Sequence, residues 1–178
     1  MRWIIFLLLV MVFNFTSIIQ ALGINKVTNK IEVISIETDA KLAIEKAYAL
    51  LVERGYYDTA KYLKKVIYNP SNRRSEVIGK TATFYLKEHP IKDMSQTWLT
   101  SVLLHEAWHL RLRHEAKSWY GLEGERTCLS RQVEYLKKYG NRHEIRWAEY
   151  ILTNIEDLSY QWWKDNVVIP PLINQLGK

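Results

Sequence analysis

One five-residue stretch constrains this chain more than any other, and it reads His105-Glu106-Ala107-Trp108-His109. On a helix, two histidines four residues apart lie on one face, about 40° apart around the axis and one turn along it. Both imidazoles can therefore reach the same metal ion. Most of the preceding residues, 98–104, are apolar, so the pattern predicts a buried helix. Histidines in such a helix need partners, and a metal ion would supply one.

Glu106 gives this stretch its predicted chemistry. It lies about 100° around the helix from His105, beside the ion rather than on it. Three protein ligands on zinc leave a fourth position for water, whose pKa then falls from about 15.7 to about 7. Glu106 is placed to take a proton from that water. The stretch therefore predicts a Zn²⁺-dependent hydrolytic centre with Glu106 as general base, and the competing interpretation is a solvated patch on an ordinary helix.

Four nearby residues could supply the third ligand: His114, Glu115, Glu123 and Glu125. If the active-site helix continues to about Lys117, His114 lies roughly 180° around the axis from His105. The side chain of His114 then points away from the ion. We therefore do not expect His114 to be a ligand.

A second helix is predicted from about Glu123 to Tyr139, and Gly140 would end it. The apolar face of this helix indicates which of the two glutamates points toward the histidines. Its apolar stripe consists of Cys128, Leu129, Val133 and Leu136. Glu125 projects on the side of this stripe, whereas Glu123 falls on the polar side. We therefore predict Glu125 as the third ligand; the alternative is a glutamate that only complements the helix dipole. Cys128 is expected to be a small buried apolar residue, with a thiolate ligand as the alternative.

With His105, His109 and Glu125 as ligands, the chain resembles the gluzincin branch of zinc metallopeptidases. The resemblance covers roughly residues 80–140, about a third of the chain. It implies a zincin-like fold, hydrolysis of peptide bonds, and a strand before the active-site helix whose edge pairs with bound peptide. The segment Thr81 to Leu86 has the β-branched and aromatic content for that strand, the alternative being a strand with a purely structural role.

The predicted fold class is α+β and mostly helical, with a small antiparallel sheet packed on a central active-site helix. The segments Glu76–Ile78 and Thr81–Leu86 could be two strands or one bulged strand. Further helices are predicted from about Asp39 to Arg54 with Thr38 as cap, from Tyr57 to Ile67, from near Ser95, and from His143 to Trp163.

The N-terminus is typical of a secretory signal peptide. One positive charge at Arg2 precedes eleven apolar residues, and Ala21 offers a cleavage site. The alternative is an uncleaved membrane anchor, because weaker apolar content continues to Leu22. We therefore expect a single domain over residues 22–178 that is secreted or periplasmic, or else held at the membrane or cell envelope by its N-terminus.

Composition restricts the partners of this chain. The net charge is +6, but the basic residues are scattered and no aromatic-basic motif accompanies them, so we expect no nucleic-acid partner. Cys128 is the only cysteine, which excludes an intrachain disulfide. We expect a monomer that acts on a peptide or protein substrate.

The predicted reaction is peptide-bond hydrolysis, with zinc polarising the carbonyl and Glu106 moving the proton to the leaving amine. Tyr120, His143 and Tyr150 are candidate donors to the oxyanion, and each has a structural role as its alternative. Two other functions remain as alternatives. One is a non-catalytic exported zincin-like module that binds a metal or a partner, and the other is a small helical membrane-associated protein whose histidine pattern is accidental.

Overall fold

The computed structural model describes residues 30–68, 76–81, 83–86, 91 and 94–157. The predicted signal segment over residues 1–21 lies outside these residues, as does the end of the predicted helix from His143 to Trp163. The helices and strands of the described part follow one another in the order β1 Glu32–Ser35, α1 Thr38–Glu53, α2 Tyr57–Ala60, β2 Lys65–Tyr68, β3 Glu76–Ile78, β4 Thr83–Leu86, α3 Gln96–His114, α4 Gly121–Tyr139 and α5 Arg142–Thr153.

The fold is α+β and mostly helical, as predicted, but the sheet is not simply antiparallel. Its strand order is β1-β2-β4-β3, with β1, β2 and β4 parallel and only β3 antiparallel to its neighbour β4. The connections between the strands explain these directions. Helices connect β1 to β2, which allows the two strands to be parallel, whereas a short turn connects β3 to β4 and makes that pair antiparallel. The antiparallel prediction therefore holds for the β3–β4 pair and is wrong for the rest of the sheet.

The helix predicted from Tyr57 to Ile67 begins at Tyr57 as expected, but the prediction is wrong beyond Ala60. Helix α2 ends at Ala60, and β2 begins at Lys65. The β-branched residues Val66 and Ile67 favour an extended chain, and buried positions alternate along β2 as expected for a strand. Strand β1 was not predicted, because a four-residue strand carries little periodicity.

Helix α3 lies at the centre of the domain, where it contacts α1, α2, α4 and β3. Its side chains are buried on all faces from Trp98 to His105. The N-cap is Ser95, whose hydroxyl accepts a hydrogen bond from the backbone N–H of Trp98 at 2.9 Å. The helix ends at His114 rather than near Lys117, and Ala116 follows with a left-handed φ of 54°. The predicted central helix is therefore present and slightly shorter than expected.

The starts of the other helices fall close to their predicted positions, but α5 ends at Thr153, well before the predicted end at Trp163. Helix α1 begins one residue before the predicted start, so Thr38 is its first residue and Glu37 is the N-cap. Helix α4 begins at Gly121 and ends before Gly140. Its predicted apolar stripe is buried. Within the part of the chain that the structure describes, none of the helices has both the length and the apolar content needed to cross a bilayer.

Polar side chains fix how α4 lies against α3. The amide Nε2 of Gln132 donates to the hydroxyl of Ser101 at 3.0 Å, and both side chains are buried. Ser101 precedes His105 by one helical turn, and Gln132 follows Glu125 by about two turns. Because the two helices form an antiparallel hairpin, this hydrogen bond sets Glu125 opposite the two histidines.

Candidate metal centre

The structure brings the three predicted ligands together. The Nε2 atoms of His105 and His109 lie 3.0 Å apart. The Oε2 atom of Glu125 lies 2.9 Å from Nε2 of His109 and 3.2 Å from Nε2 of His105. Both histidines are buried, and the side chain of Glu125 is only 15% exposed. These three side chains form a buried group that could hold a metal ion.

A backbone carbonyl orients one of the two imidazoles. The Nδ1 atom of His109 lies 2.6 Å from the carbonyl oxygen of Trp119, in the loop between α3 and α4. A carbonyl can only accept, so Nδ1 must carry the hydrogen and donate it. In neutral His109 the lone pair is then on Nε2, which faces the other two ligand atoms. A second hydrogen-bond partner of this kind is typical of histidines that bind metals.

Gly124 allows the loop to come this close. A Cβ atom at Gly124 would lie 2.6 Å from the carbonyl carbon and 2.9 Å from the carbonyl oxygen of Trp119. Those distances are too short for any residue with a side chain, unless the loop shifts. Gly124, the residue immediately before Glu125, therefore allows the Trp119 carbonyl to contact His109.

The electrostatics of the group favour a bound cation. Burial alone would raise the pKa of Glu125, but hydrogen bonds with His105 and His109 lower it to about 2. Burial alone would lower the pKa of His109, yet hydrogen bonds with Cys128 and Glu125 raise it well above its usual value. A carboxylate and two imidazole nitrogens thus face one another at short range, and positive charge between them is stabilising. A proton or a metal ion can supply that charge.

Glu106 lies beside this group without belonging to it. Burial raises the pKa of its carboxyl, the two histidines lower it, and the carboxylate of Glu125 raises it again. Glu106 follows His105 directly on α3, and the net effect is a pKa above the usual value for a glutamate. The role of Glu106 as general base stays a prediction.

Cys128 also lies beside the group, one turn after Glu125 on α4. Its side chain is fully buried, and burial raises the pKa of the thiol, while a hydrogen bond with His109 lowers it. Cys128 is not among the three residues whose ligand atoms converge. The thiol therefore lines the group as a small buried residue that contacts His109.

The other candidate ligands lie elsewhere. The ring of His114 packs against Tyr62, with 5.0 Å between ring centroids. Glu115 forms ion pairs with Arg111 and Lys117, at 2.8 Å and 2.6 Å. Glu123 is exposed to solvent. These placements agree with the prediction that Glu125, and not its neighbours, faces the histidines.

No single oxyanion donor stands out among the three candidates. Tyr120 is 71% exposed and its ring contacts Trp119. Tyr150 is 48% exposed and stacks on Trp147. His143 lies in the first turn of α5, where its backbone N–H donates to the Asn141 side chain. Their assignment to the oxyanion stays a prediction.

The predicted peptide-binding edge is wrong in one respect. Strand β4, within the predicted segment Thr81–Leu86, is hydrogen-bonded on both sides, to β2 and to β3. An incoming peptide therefore cannot pair with it. Strand β3 pairs only with β4 among the described strands, so it forms that edge of the sheet. Strand β3 also contacts α3, the helix that carries the two histidines.

Sequence reasoning missed the residues that support the ligands. The carbonyl of Trp119 gives no signal, because every residue has one. Gly124 could have been noticed in the sequence, because glycine is unfavourable inside a helix and often marks a place where another segment packs closely against the backbone. Gln132 lies next to the apolar stripe of α4 in the sequence, but nothing in the sequence predicts its hydrogen bond to Ser101.

Family models, curated proteins and solved structures were each compared with this chain, and none of the three comparisons gave a match. Function is therefore inferred from the geometry and chemistry of the site.

Proposed function

We propose that the chain is a zinc-dependent metallopeptidase of the gluzincin type, with His105, His109 and Glu125 as zinc ligands. The observation that carries the proposal is the convergence of these three side chains beside Glu106. Two imidazoles and one glutamate are a donor set typical of catalytic zinc, which keeps its fourth position open. A non-catalytic ligand scaffold would have no need of a carboxylate at position 106.

The distances between donor atoms support zinc. A tetrahedral ion with bonds of about 2.0 to 2.1 Å separates its ligand atoms by roughly 3.3 to 3.4 Å. The three separations here are 2.9, 3.0 and 3.2 Å. Small side-chain adjustments would therefore accommodate the ion, because both histidines already present Nε2 to the same point.

Zinc, when bound, supplies a Lewis acid that polarises the scissile carbonyl and lowers the pKa of water. Glu106 takes a proton from the attacking water and passes it to the leaving amine. Burial raises the pKa of Glu106, which suits a group that must both accept and release a proton near neutral pH. The Trp119 carbonyl keeps His109 in the tautomer that has its lone pair toward the site.

The open edge of β3 is the proposed docking strand for the substrate. A peptide in extended conformation would add to this edge through main-chain hydrogen bonds, whatever its side chains. Such an edge favours a peptide or protein as the substrate. The predicted signal segment favours an exported enzyme. The zincin-like fold and the export are both parts of the proposal.

The test of the proposal removes the base and keeps the ligands. Glu106→Gln preserves the shape of the side chain but cannot accept a proton, so hydrolysis should fall by a factor of about 100 or more. Zinc content should stay at the wild-type value. Zinc-loaded wild type that hydrolyses no peptide in a broad peptide mixture would instead support the non-catalytic binding module.

A further inference from the structure

The two histidines of the site are followed on the same helix by an arginine at the same spacing. His105, His109 and Arg113 are each four residues apart, so their side chains leave α3 in one row. Arg113 is thus one turn beyond His109, roughly 6 Å further along the axis. A peptide that ran along α3 in extended conformation would advance about 3.3 Å per residue, and would therefore reach Arg113 roughly two residues from the site.

Arg113 is held between two segments that border the site. Its guanidinium lies over the ring of Trp119, with 5.3 Å to the ring centroid. Its side chain also packs against Gly79, where any Cβ atom would overlap it. Gly79 immediately follows β3, and Trp119 is the residue whose carbonyl orients His109. The guanidinium therefore lies between the turn that follows β3 and the loop that contains Trp119.

Arg113 differs from three other arginines of α3 and α4, because no acidic side chain among the described residues pairs with it. Arg111 pairs with Glu115, Arg126 with Glu156, and Arg131 with Glu134. Within the described residues, no acidic side chain pairs with Arg113, although its side chain is partly buried. One terminal nitrogen of the guanidinium faces Gly79, and the guanidinium carbon lies 5.3 Å from the centroid of the Trp119 ring. Arginine has five N–H donors, so the groups that do not face Gly79 can still bind a carboxylate.

We propose that Arg113 binds a carboxylate of the substrate, and that the substrates are therefore peptides with an acidic group about two residues from the scissile bond. The group is either the free C-terminal carboxylate or an acidic side chain. A guanidinium already held in place by Gly79 and Trp119 loses little freedom when it forms two parallel hydrogen bonds to a carboxylate. This inference rests on the proposed peptidase function.

The test compares matched peptides on the full-length, zinc-loaded protein. Three mixtures of randomised hexapeptides are used: a neutral mixture with amidated C-termini, the same mixture with free C-termini, and an amidated mixture containing one glutamate. Binding is measured on Glu106→Gln and cleavage on the wild type. Binding to Glu106→Gln should favour one acidic mixture over the neutral one by roughly tenfold to a hundredfold. Which of the two mixtures is favoured identifies the source of the carboxylate.

Three further variants assign the preference to the side chain. Arg113→Gln should abolish it while binding of the neutral mixture changes less than about threefold, and Arg113→Lys should retain part of it. The matched control is Arg126→Gln, an exposed arginine of α4 that pairs with Glu156. This control should keep the full preference, and zinc content and melting temperature are measured for every variant.

The outcomes separate the two proposals. Equal binding of all three mixtures, a preference that survives Arg113→Gln, or an equal loss for acidic and neutral peptides would overturn the role of Arg113. Acid-selective binding without any cleavage would overturn the peptidase and leave Arg113 as a carboxylate site. Cleavage without a preference for acidic peptides would overturn the role of Arg113 and leave the peptidase proposal intact.

Discussion

The ring nitrogen Nδ1 of His109 lies 2.6 Å from the backbone oxygen of Trp119, ten residues further along the chain. The contact depends on Gly124, which lets the Trp119 backbone lie directly against α4. One glycine thus connects the loop, a candidate metal ligand and the helix that carries another ligand.

Gly124→Ala should weaken metal binding. The added methyl group would push the Trp119 carbonyl away from His109, and loss of such a partner typically costs about 10- to 100-fold in metal affinity. Alanine is the better helix former by roughly 0.5 to 1 kcal/mol, so a general loss of helix is not expected. Zinc affinity is measured by competition with a chelator. Ser130→Ala on the same helix is the control, and equal affinities for both variants would refute the role of Gly124.

The choice of Glu125 as ligand can be tested against its neighbours. Glu125→Ala leaves only two ligands, so zinc content and activity should fall together. Glu123→Ala and His114→Ala should leave both nearly unchanged, because Glu123 is exposed and His114 packs against Tyr62. Zinc is counted by elemental analysis after dialysis. Loss of zinc in Glu123→Ala but not in Glu125→Ala would show that α4 is rotated relative to this structure.

Zinc should stabilise the fold, since the ligands come from two helices that pack only in the native state. Free zinc at 100 times its dissociation constant adds about 2.7 kcal/mol, which corresponds to roughly 5 to 10 °C in melting temperature for a domain of this size. The melting temperature of metal-free protein is compared with and without added zinc. Identical values would contradict a native-state zinc site.

Glu144 should contribute to stability independently of the metal. Its buried carboxylate accepts hydrogen bonds from the hydroxyl of Ser95 and from the backbone N–H of Asn141, so it joins the N-termini of α3 and α5. Glu144→Ala should lower the free energy of unfolding by about 1 to 3 kcal/mol, measured in urea. The control is Glu149→Ala, which removes a surface ion pair with Lys137 and should cost less than about 1 kcal/mol. Equal effects would show that Glu144 is not a structural link.

The longer helices and the three candidate ligands could be predicted because they follow the helical periodicity. The spacing of His105 and His109 fixed their common face, and the buried stripe of α4 separated Glu125 from Glu123. These are local properties of a helix, and they do not depend on the rest of the fold.

The sheet was predicted less well because strand pairing is not local. Strands β1 and β2 have four residues each, and their parallel pairing depends on a crossover through α1. The sequence pattern from Tyr57 to Ile67 is compatible with one continuous helix. Val66 and Ile67 form a strand instead, because they pair with β1 on one side and with β4 on the other. The support of His109 by a backbone carbonyl likewise depends on the path of a loop.

The central claim is that His105, His109 and Glu125 hold one zinc ion. The most direct test is anomalous diffraction at the zinc absorption edge, on crystals of the full chain purified without chelators. One anomalous peak within about 2.0 to 2.2 Å of Nε2 of both histidines and of the Glu125 carboxylate is the predicted result. Zinc-supplemented crystals with no peak there, or with Glu125 turned away from the ion, would contradict it.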